Sequence, residues 1–311
     1  MNMQINTFGK GAMRVNSKQP FLVQKLAEQW SENNEAPSMP DDKSWRGSMA
    51  GSCARQVAYR LSDTEASDPI DLAGFWNMGL GSMIHNELEQ AIHDWADSQP
   101  NVEVIAEHEM ELGERGYGHA DTLVIMDIPW VGKVKVLFEL KTVGGFGYKN
   151  MIGLNKNKYA EGPKWSAFVQ GAMDASAVDA DLLVIGYLAR EGVSKNMAKN
   201  YSKSEIERMG AEWHYTKEQY MVVAAEEIER LDGISAAIAE GKTPSEIPAR
   251  FSKSDPEIPF PAEVTHPEKG AWRLYAKDGS LVNAGTTWMF NYCQFQQQCK
   301  GDTDDVLSRD A

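Results

Sequence analysis

The stretch from residue 102 to 143 constrains this chain most. It reads as three β-strands in close succession, "VEVIAEHEMEL", "GYGHADTLVIM" and "KVKVLFELKTV". Asp127, Pro129 and Gly132 supply turn chemistry between the second and the third. A turn that short returns the chain antiparallel, so the two strands form a hairpin folded about residue 130. Side chains alternate faces along a strand. Glu139 and Lys141 therefore share one face, and Val136, Phe138 and Leu140 take the other.

The hairpin brings two carboxylates together. Asp121 lies nine residues before its centre and Glu139 nine after it. Opposed residues project to one face with Cβ atoms roughly 5 Å apart. Two carboxylates that close repel unless positive charge lies between them. Lys141 is one source, and a divalent cation is another. Mg²⁺ or Mn²⁺ suits such oxygen ligands and binds phosphate oxygens readily. The matching chemistry is phosphodiester hydrolysis, with a metal-activated water and a lysine that orients it or stabilises developing charge. A cross-strand ion pair on an ordinary amphipathic strand explains the same residues cheaply, and the strand alone leaves both readings open.

Around this hairpin the pattern predicts a mixed α/β core in the order α-β-β-β-α-β. A helix over 71–97 comes first, with Ile84, Leu88, Ile92 and Trp95 in one apolar stripe and His85 at its border. "PKWSAFVQGAMDASAV" is the next helix and "ADLLVIGYLA" a buried strand. Residues 48–61 read as helical, and so does the stretch around 20–30. Residues 1–45 look peripheral, 46–300 form one domain with an insertion at about 191–215, and a helix covers about 217–240. A hairpin with an Asp-Gly turn follows within 273–284, then a cysteine segment at 288–300 and an acidic tail at 301–311.

The net charge of −14 counts against a non-specific nucleic-acid coat, though not against an enzyme with a local basic channel. There is no apolar run long enough for a membrane span, nor a signal-peptide core at the N-terminus, so a cytoplasmic protein is expected. Three cysteines fit a reduced compartment better than a disulfide framework.

In order, His85 of "GSMIH", Asp121 of "GHAD", Glu139 and Lys141 of "FELK" and Gln170 of "FVQGAMD" make a set. It resembles the PD-(D/E)XK nucleases, specifically the RecB-like exonuclease branch that includes the CRISPR-associated RecB-family exonucleases. The resemblance spans about residues 47–190 and returns at 290–300. It implies that His85, Asp121, Glu139 and the Leu140 carbonyl hold Mg²⁺ or Mn²⁺. Lys141 would be the catalytic lysine, with Gln170 near substrate or Lys141. Relatives often carry tyrosine four residues after the glutamine, where this chain has Asp174. The implied activity is DNA cleavage, exonucleolytic and favouring single-stranded ends, in recombination, repair or CRISPR-related processing. Implied partners are DNA and a protein of such a complex, and oligomers are known among relatives. The rival reading is a non-catalytic nuclease-fold module that binds DNA or a protein.

The same family often holds a four-iron cluster on four cysteines. Here Cys53 of "GSCARQVAYRL" and Cys293 and Cys299 of "NYCQFQQQC" stand at matching places, with Phe290 where the remaining cysteine is expected. Two readings stay open: a 4Fe-4S cluster with three cysteine ligands and one of another kind, or three thiols packed as small buried residues. Finally, "GGFGYKNMIGLNKNKYAEGPKW" interleaves aromatics with lysines directly after Lys141. Lys149, Lys156, Lys158, Lys164 and Tyr148 are the candidate DNA contacts, as phosphate neutralisers and a base-stacking ring.

Overall fold

A computed structural model describes residues 42–153, 162–190, 210–248, 263–265, 273–275 and 293–299, together with Lys25 and Gln29. Strand β1 is Trp45–Arg46, followed by a 3₁₀ turn at Gly47–Met49 and helix α1 at Ala54–Leu61. Helix α2 spans Leu72–Asp97. Strands β2 (Val102–Leu112), β3 (Gly116–Ile128) and β4 (Gly132–Val143) follow. Helices α3 (Gly145–Met151) and α4 (Trp165–Ala177) lead to β5 (Leu182–Ala189) and β6 (Gly210–Thr216), and α5 covers Lys217–Ala239. Strands β7 (Glu263–Thr265) and β8 (Arg273–Tyr275) form a small antiparallel pair. The mixed α/β core, α2-β2-β3-β4-α4-β5, has the expected order.

Local chemistry sets the boundaries. Asp71 caps α2, its side chain accepting from Gly74 N at 2.8 Å. Thr216 N donates to Gln219 Oε1 at 2.8 Å at the start of α5. The β3–β4 hairpin pairs Thr122 with Phe138 and Ile128 with Gly132, which centres it on residue 130. Trp130 turns the corner at φ +71°, fully exposed.

The main sheet runs β1-β3-β4-β5-β6, with β2 on β3. β3 is antiparallel to β2 and β4, β4 is parallel to β5, and β6 closes the edge antiparallel to β5. Helix α4 lies on this sheet with α5 behind it. Its small residues Ala167, Gly171, Ala172 and Ala175 are buried and permit close approach. Leu137, Leu183 and Ile185 face it from the core. Asp232 of α5 ties the first strand in: it accepts from the Trp45 indole at 2.7 Å and from the amides of Glu114 and Arg115 at 2.9 and 3.0 Å.

The structure departs from the sequence pattern at several places. The helix at 48–61 starts only at Ala54, because Gly51 sits at φ +66°, where a Cβ would lie 2.9 Å from Ser166 Cα. Residues 210–215 are no insertion, since they form β6 of the main sheet; 191–209 lie outside the described residues. The segment after Lys141 opens with helix α3. Trp95 is 47% exposed, so the α2 stripe narrows to the half-buried Ile84, Leu88 and Ile92. The hairpin expected within 273–284 has Arg273–Tyr275 paired with Glu263–Thr265, and its Asp-Gly turn lies outside the described residues. So do the acidic tail and, save helical Lys25 and Gln29, the helix near 20–30.

Candidate active site

The site forms where the hairpin comes apart. β3 and β4 pair as far as Thr122 and Phe138, so Asp121 and Glu139 are the next opposed residues. Beyond them β1 takes over the edge of β3 at Gly116 and Tyr117. The Leu140 amide therefore leaves the ladder, and Asp121 Oδ2 accepts from it at 2.8 Å. In a strand the carbonyl of a residue leaves by the same edge as its N–H, so the Leu140 carbonyl faces this gap.

Glu139 has no exposed surface and Asp121 is 8% exposed. Lys141 bridges them: its Nζ pairs with Glu139 Oε1 and lies 3.8 Å from Asp121 Oδ2. Burial pushes the Glu139 carboxyl up to about 8, Asp121 adds to this, and Lys141 opposes it. Burial alone would lower Lys141, yet Glu139 and Asp121 outweigh it and hold the ammonium above its ordinary range. Glu139 Oε2 is buried without a hydrogen-bond partner among the described residues. One ammonium does not satisfy this pair. The donor set of hard oxygens, with Glu139 Oε2 left unpartnered, fits a divalent cation that would displace the Glu139 proton.

A third acid stands behind them. Asp174 of α4 is 1% exposed, and burial, then Glu139 and Asp121, raise its carboxyl well above the ordinary range. Gln170, one turn earlier on α4, is half-buried and acts on the Asp174 carboxyl to lower it, while both Asp174 oxygens are buried without a hydrogen-bond partner among the described residues. The sequence did carry a signal for Asp174: it falls seven residues after Ala167 and three after Gly171, on the buried face of α4.

His85 gathers a different set. His85 Nε2 pairs with Glu89 Oε1 at 3.0 Å, one turn along α2. Among the described residues, the group of three whose ligand atoms all lie within 4.8 Å is His85, Glu89 and Glu107, not His85 with Asp121 and Glu139. Burial raises the Glu89 carboxyl, and Glu107 and Asp121 add to it while His85 opposes, so Glu89 lies between the two groups. Glu107 takes φ +48° on β2 and falls where the β2–β3 ladder skips a pair opposite Asp121. Glu107, Asp121 and Glu139 thus form one row across three strands. Sequence reasoning missed Glu89 and Glu107, although the i, i+4 spacing of His85 and Glu89 was visible.

His85 and Lys141 line one cavity of about 450 Å³ with Asn77, Ser82, Thr142 and Arg190. Arg190 donates to Asn77 Oδ1 at 2.6 Å. Of the expected DNA contacts, Lys164 is exposed beside the half-exposed Trp165 and Lys149 is half-buried. Tyr148 is a correction: it is 3% exposed and its hydroxyl donates to Gly210 O at 2.9 Å, so it is a core residue and stacks on no base. Lys156 and Lys158 lie outside the described residues.

The three cysteines converge although Cys53 and Cys293 are far apart in sequence. Cys293 and Cys299 each act electrostatically on or with Cys53, and burial raises all three thiols, Cys299 to about 11. Arg55 Nη1 donates to Cys299 Sγ at 3.8 Å, and Tyr59 stacks on Phe295 at 5.2 Å.

The α-β-β-β-α-β core places Asp121 and Glu139-x-Lys141 at the splay of its central hairpin. No protein-family model matches the chain, and no curated protein matches its sequence. Among solved structures, an alkaline exonuclease from Laribacter hongkongensis is similar at 11% identity and a TM-score of 0.40, over 68% of this chain and 94% of that one. The crystal structure of SSO0001 is similar at 15% identity and a TM-score of 0.39, over 68% and 87% of the two chains. Among the described residues no helix is long and apolar enough to cross a membrane.

Proposed function

We propose that this protein is a Mg²⁺- or Mn²⁺-dependent deoxyribonuclease that cuts phosphodiester bonds as an exonuclease, with single-stranded ends preferred. The observation that carries the reading is the buried Asp121–Glu139 pair bridged by Lys141 at the point where β3 and β4 separate. Asp121, Glu139 and the Leu140 carbonyl would hold the cation, with His85 approaching from α2. When bound, the cation polarises the phosphate and activates a water. Lys141 keeps its proton at neutral pH, so it orients that water and stabilises charge on the phosphate rather than acting as a base. Gln170 and Asp174 support Glu139 from behind. Lys164, Lys149 and the lysines at 156 and 158 would follow the strand backbone. The setting would be recombination, repair or CRISPR-related DNA processing, with a protein partner in such a complex.

The cysteine site supports an iron–sulfur cluster as a structural staple between α1 and the segment 293–299. The charges of Cys53 and Cys293 act on Cys299, and that of Cys53 on Cys293, so the three thiols share one site. Arg55 and Arg60 beside the sulfurs suit a cluster's negative charge.

The test is digestion of end-labelled single- and double-stranded DNA by wild type and Lys141→Ala, with Mn²⁺, Mg²⁺ or EDTA, from protein purified without air. Metal-dependent digestion lost in the variant is the expected result. A wild type that binds DNA without cutting it would move the reading to the non-catalytic module.

A further inference from the structure

The cleft at Lys141 continues past it. Leu88 of α2 and Leu140 of β4 belong to the wall of the 450 Å³ cavity, and the same two residues line a second cavity of about 560 Å³. The sheet register explains where this second cavity opens. Leu140 pairs with Gly186 and Gly186 with Glu212, while Leu188 pairs with Gly210 and Val184 with His214. Paired residues project to one face, as do residues two apart on a strand. Leu140, Gly186, Leu188, Gly210, Glu212 and His214 therefore share a face. Two of these positions carry no side chain, which hollows the sheet at β5 and β6. A Cβ on Gly186 would stand 3.1 Å from Leu140 Cδ2, so glycine there is what lets Leu140 lie across the floor. The two cavities differ in chemistry. The first carries Lys141 and Arg190, whereas no lysine or arginine is among the described residues lining the second. At its rim the exposed Glu212 Oε2 pairs with His214 Nε2 at 3.2 Å. A carboxylate at the mouth disfavours a phosphate, while half-buried leucines with a few polar atoms at the edge suit a neutral, flat group.

Resting on the nuclease reading above, we propose that the second cavity is a base subsite, which takes one unpaired nucleobase of the strand whose phosphate lies at Lys141 and Arg190. A nucleotide carries an anionic group and a flat, largely apolar one side by side, and the two joined cavities offer a cationic and an apolar compartment in the same arrangement. The leucines pack on the faces of the base, and Glu212 and His214 are the polar groups nearest its edge. A base held in a duplex enters only after it leaves its stack and its partner. The subsite is therefore the feature that favours single-stranded ends. It reads no sequence through the phosphates, which stay in the first cavity.

The test fills the cavity and, separately, removes the base. Gly210 lies opposite Leu188, and a Cβ there makes only ordinary contacts, 3.5 Å from Tyr187 O and 3.6 Å from Leu188 Cδ2. Gly210→Leu and the smaller Gly210→Ala thus place added bulk in the cavity. The full chain, as wild type and both variants, is titrated by anisotropy in EDTA with a labelled single-stranded oligonucleotide, with one of equal length whose nucleotides are all abasic, and with a blunt duplex. Wild type is expected to bind the base-bearing strand about tenfold more tightly than the abasic one. Gly210→Leu is expected to lose that advantage and Gly210→Ala part of it. Both should bind the abasic strand and the duplex as wild type does, which also shows that they fold. Unchanged binding of the base-bearing strand by both variants, or equal losses on the base-bearing and abasic strands, would remove the base subsite. If wild type then still cuts DNA with Mn²⁺ or Mg²⁺, the nuclease reading stands without it. A wild type that neither binds nor cuts single-stranded DNA would overturn both.

Discussion

Glu139→Gln is expected to make the metal-free protein more stable, and increasingly so as pH rises. Glu139 is fully buried, and its carboxyl stands at about 8 against an ordinary 4.5. The sign follows from proton counting. Below pH 4.5 the group is protonated folded and unfolded alike. Above it the unfolded chain releases the proton while the folded chain keeps it up to about pH 8, so wild-type stability falls across that window. One pH unit corresponds to about 1.4 kcal/mol, so the 2.5 units between 4.5 and 7 amount to about 3 kcal/mol. Glutamine has the same shape and no proton to release. The gain of about 3 kcal/mol at pH 7 is a ceiling, because Lys141 loses its nearest partner. Urea unfolding in EDTA at pH 5, 7 and 8 reads the difference directly. It should be near zero at pH 5 and widen upward. Added Mn²⁺ should stabilise wild type alone, since the cation displaces the proton and binds the folded state. A gap that stays constant with pH, or a wild type more stable than the variant at pH 8 in EDTA, would refute the reasoning.

Gly171→Ala places a Cβ 3.1 Å from Glu139 Cβ and 3.0 Å from Ile185 Cδ1, so the acid must shift by a few tenths of an ångström. Cleavage should fall roughly tenfold or more while stability drops about 1–2 kcal/mol, read by turnover and urea midpoint. Asp232→Ala strands the buried Trp45 indole and two amides, and should cost about 2–3 kcal/mol in urea unfolding. Tyr148→Phe should lose about 1 kcal/mol of stability and leave the affinity for single-stranded DNA unchanged, the reverse of what a stacking residue would show. Arg190→Ala should weaken DNA binding and reduce its salt dependence by about one phosphate contact, measured by anisotropy titrations at several salt concentrations.

The legible part of the site is the part built on local rules. Turn chemistry at 127–132 and strict alternation fix where residue 130 falls, and that alone opposes Asp121 to Glu139. The illegible part depends on contacts between distant elements. Glu107 joins the acidic row through a left-handed backbone position on β2 that no composition announces. β6 was missed although "GAEWHYT" alternates, with Ala211, Trp213 and Tyr215 on one face, because its pairing partner β5 ends about twenty residues earlier in the sequence. Tyr148 sits among lysines and glycines and looks like a binding residue. Only the arrival of Gly210 from β6 shows that its hydroxyl is spent inside the core. Trp95 failed in the opposite direction: a large apolar side chain on the apolar stripe of α2 is 47% exposed, although its neighbour Ala96 is buried.

The charge of the whole chain and the charge of the cleft point in different directions, and distance decides between them. At physiological salt, exposed charges are screened beyond about 8 Å, so the net −14 is felt by a DNA strand mainly through whichever residues stand next to it. The cavity that leads to Lys141 is lined by Lys141, Arg190 and His85 with Asn77, Ser82 and Thr142, and no carboxylate is among the lining residues. The acids are one layer deeper, at Asp121, Glu139 and Asp174, where water is excluded and charges are screened less than at the surface. A phosphate entering this cleft meets cations first, and meets the buried acids only where a bound divalent cation would lie between them and it. An acidic surface and a phosphodiester substrate are therefore compatible in this fold. The Arg190 substitution probes the outer layer of that arrangement, and the Glu139 substitution probes the inner one.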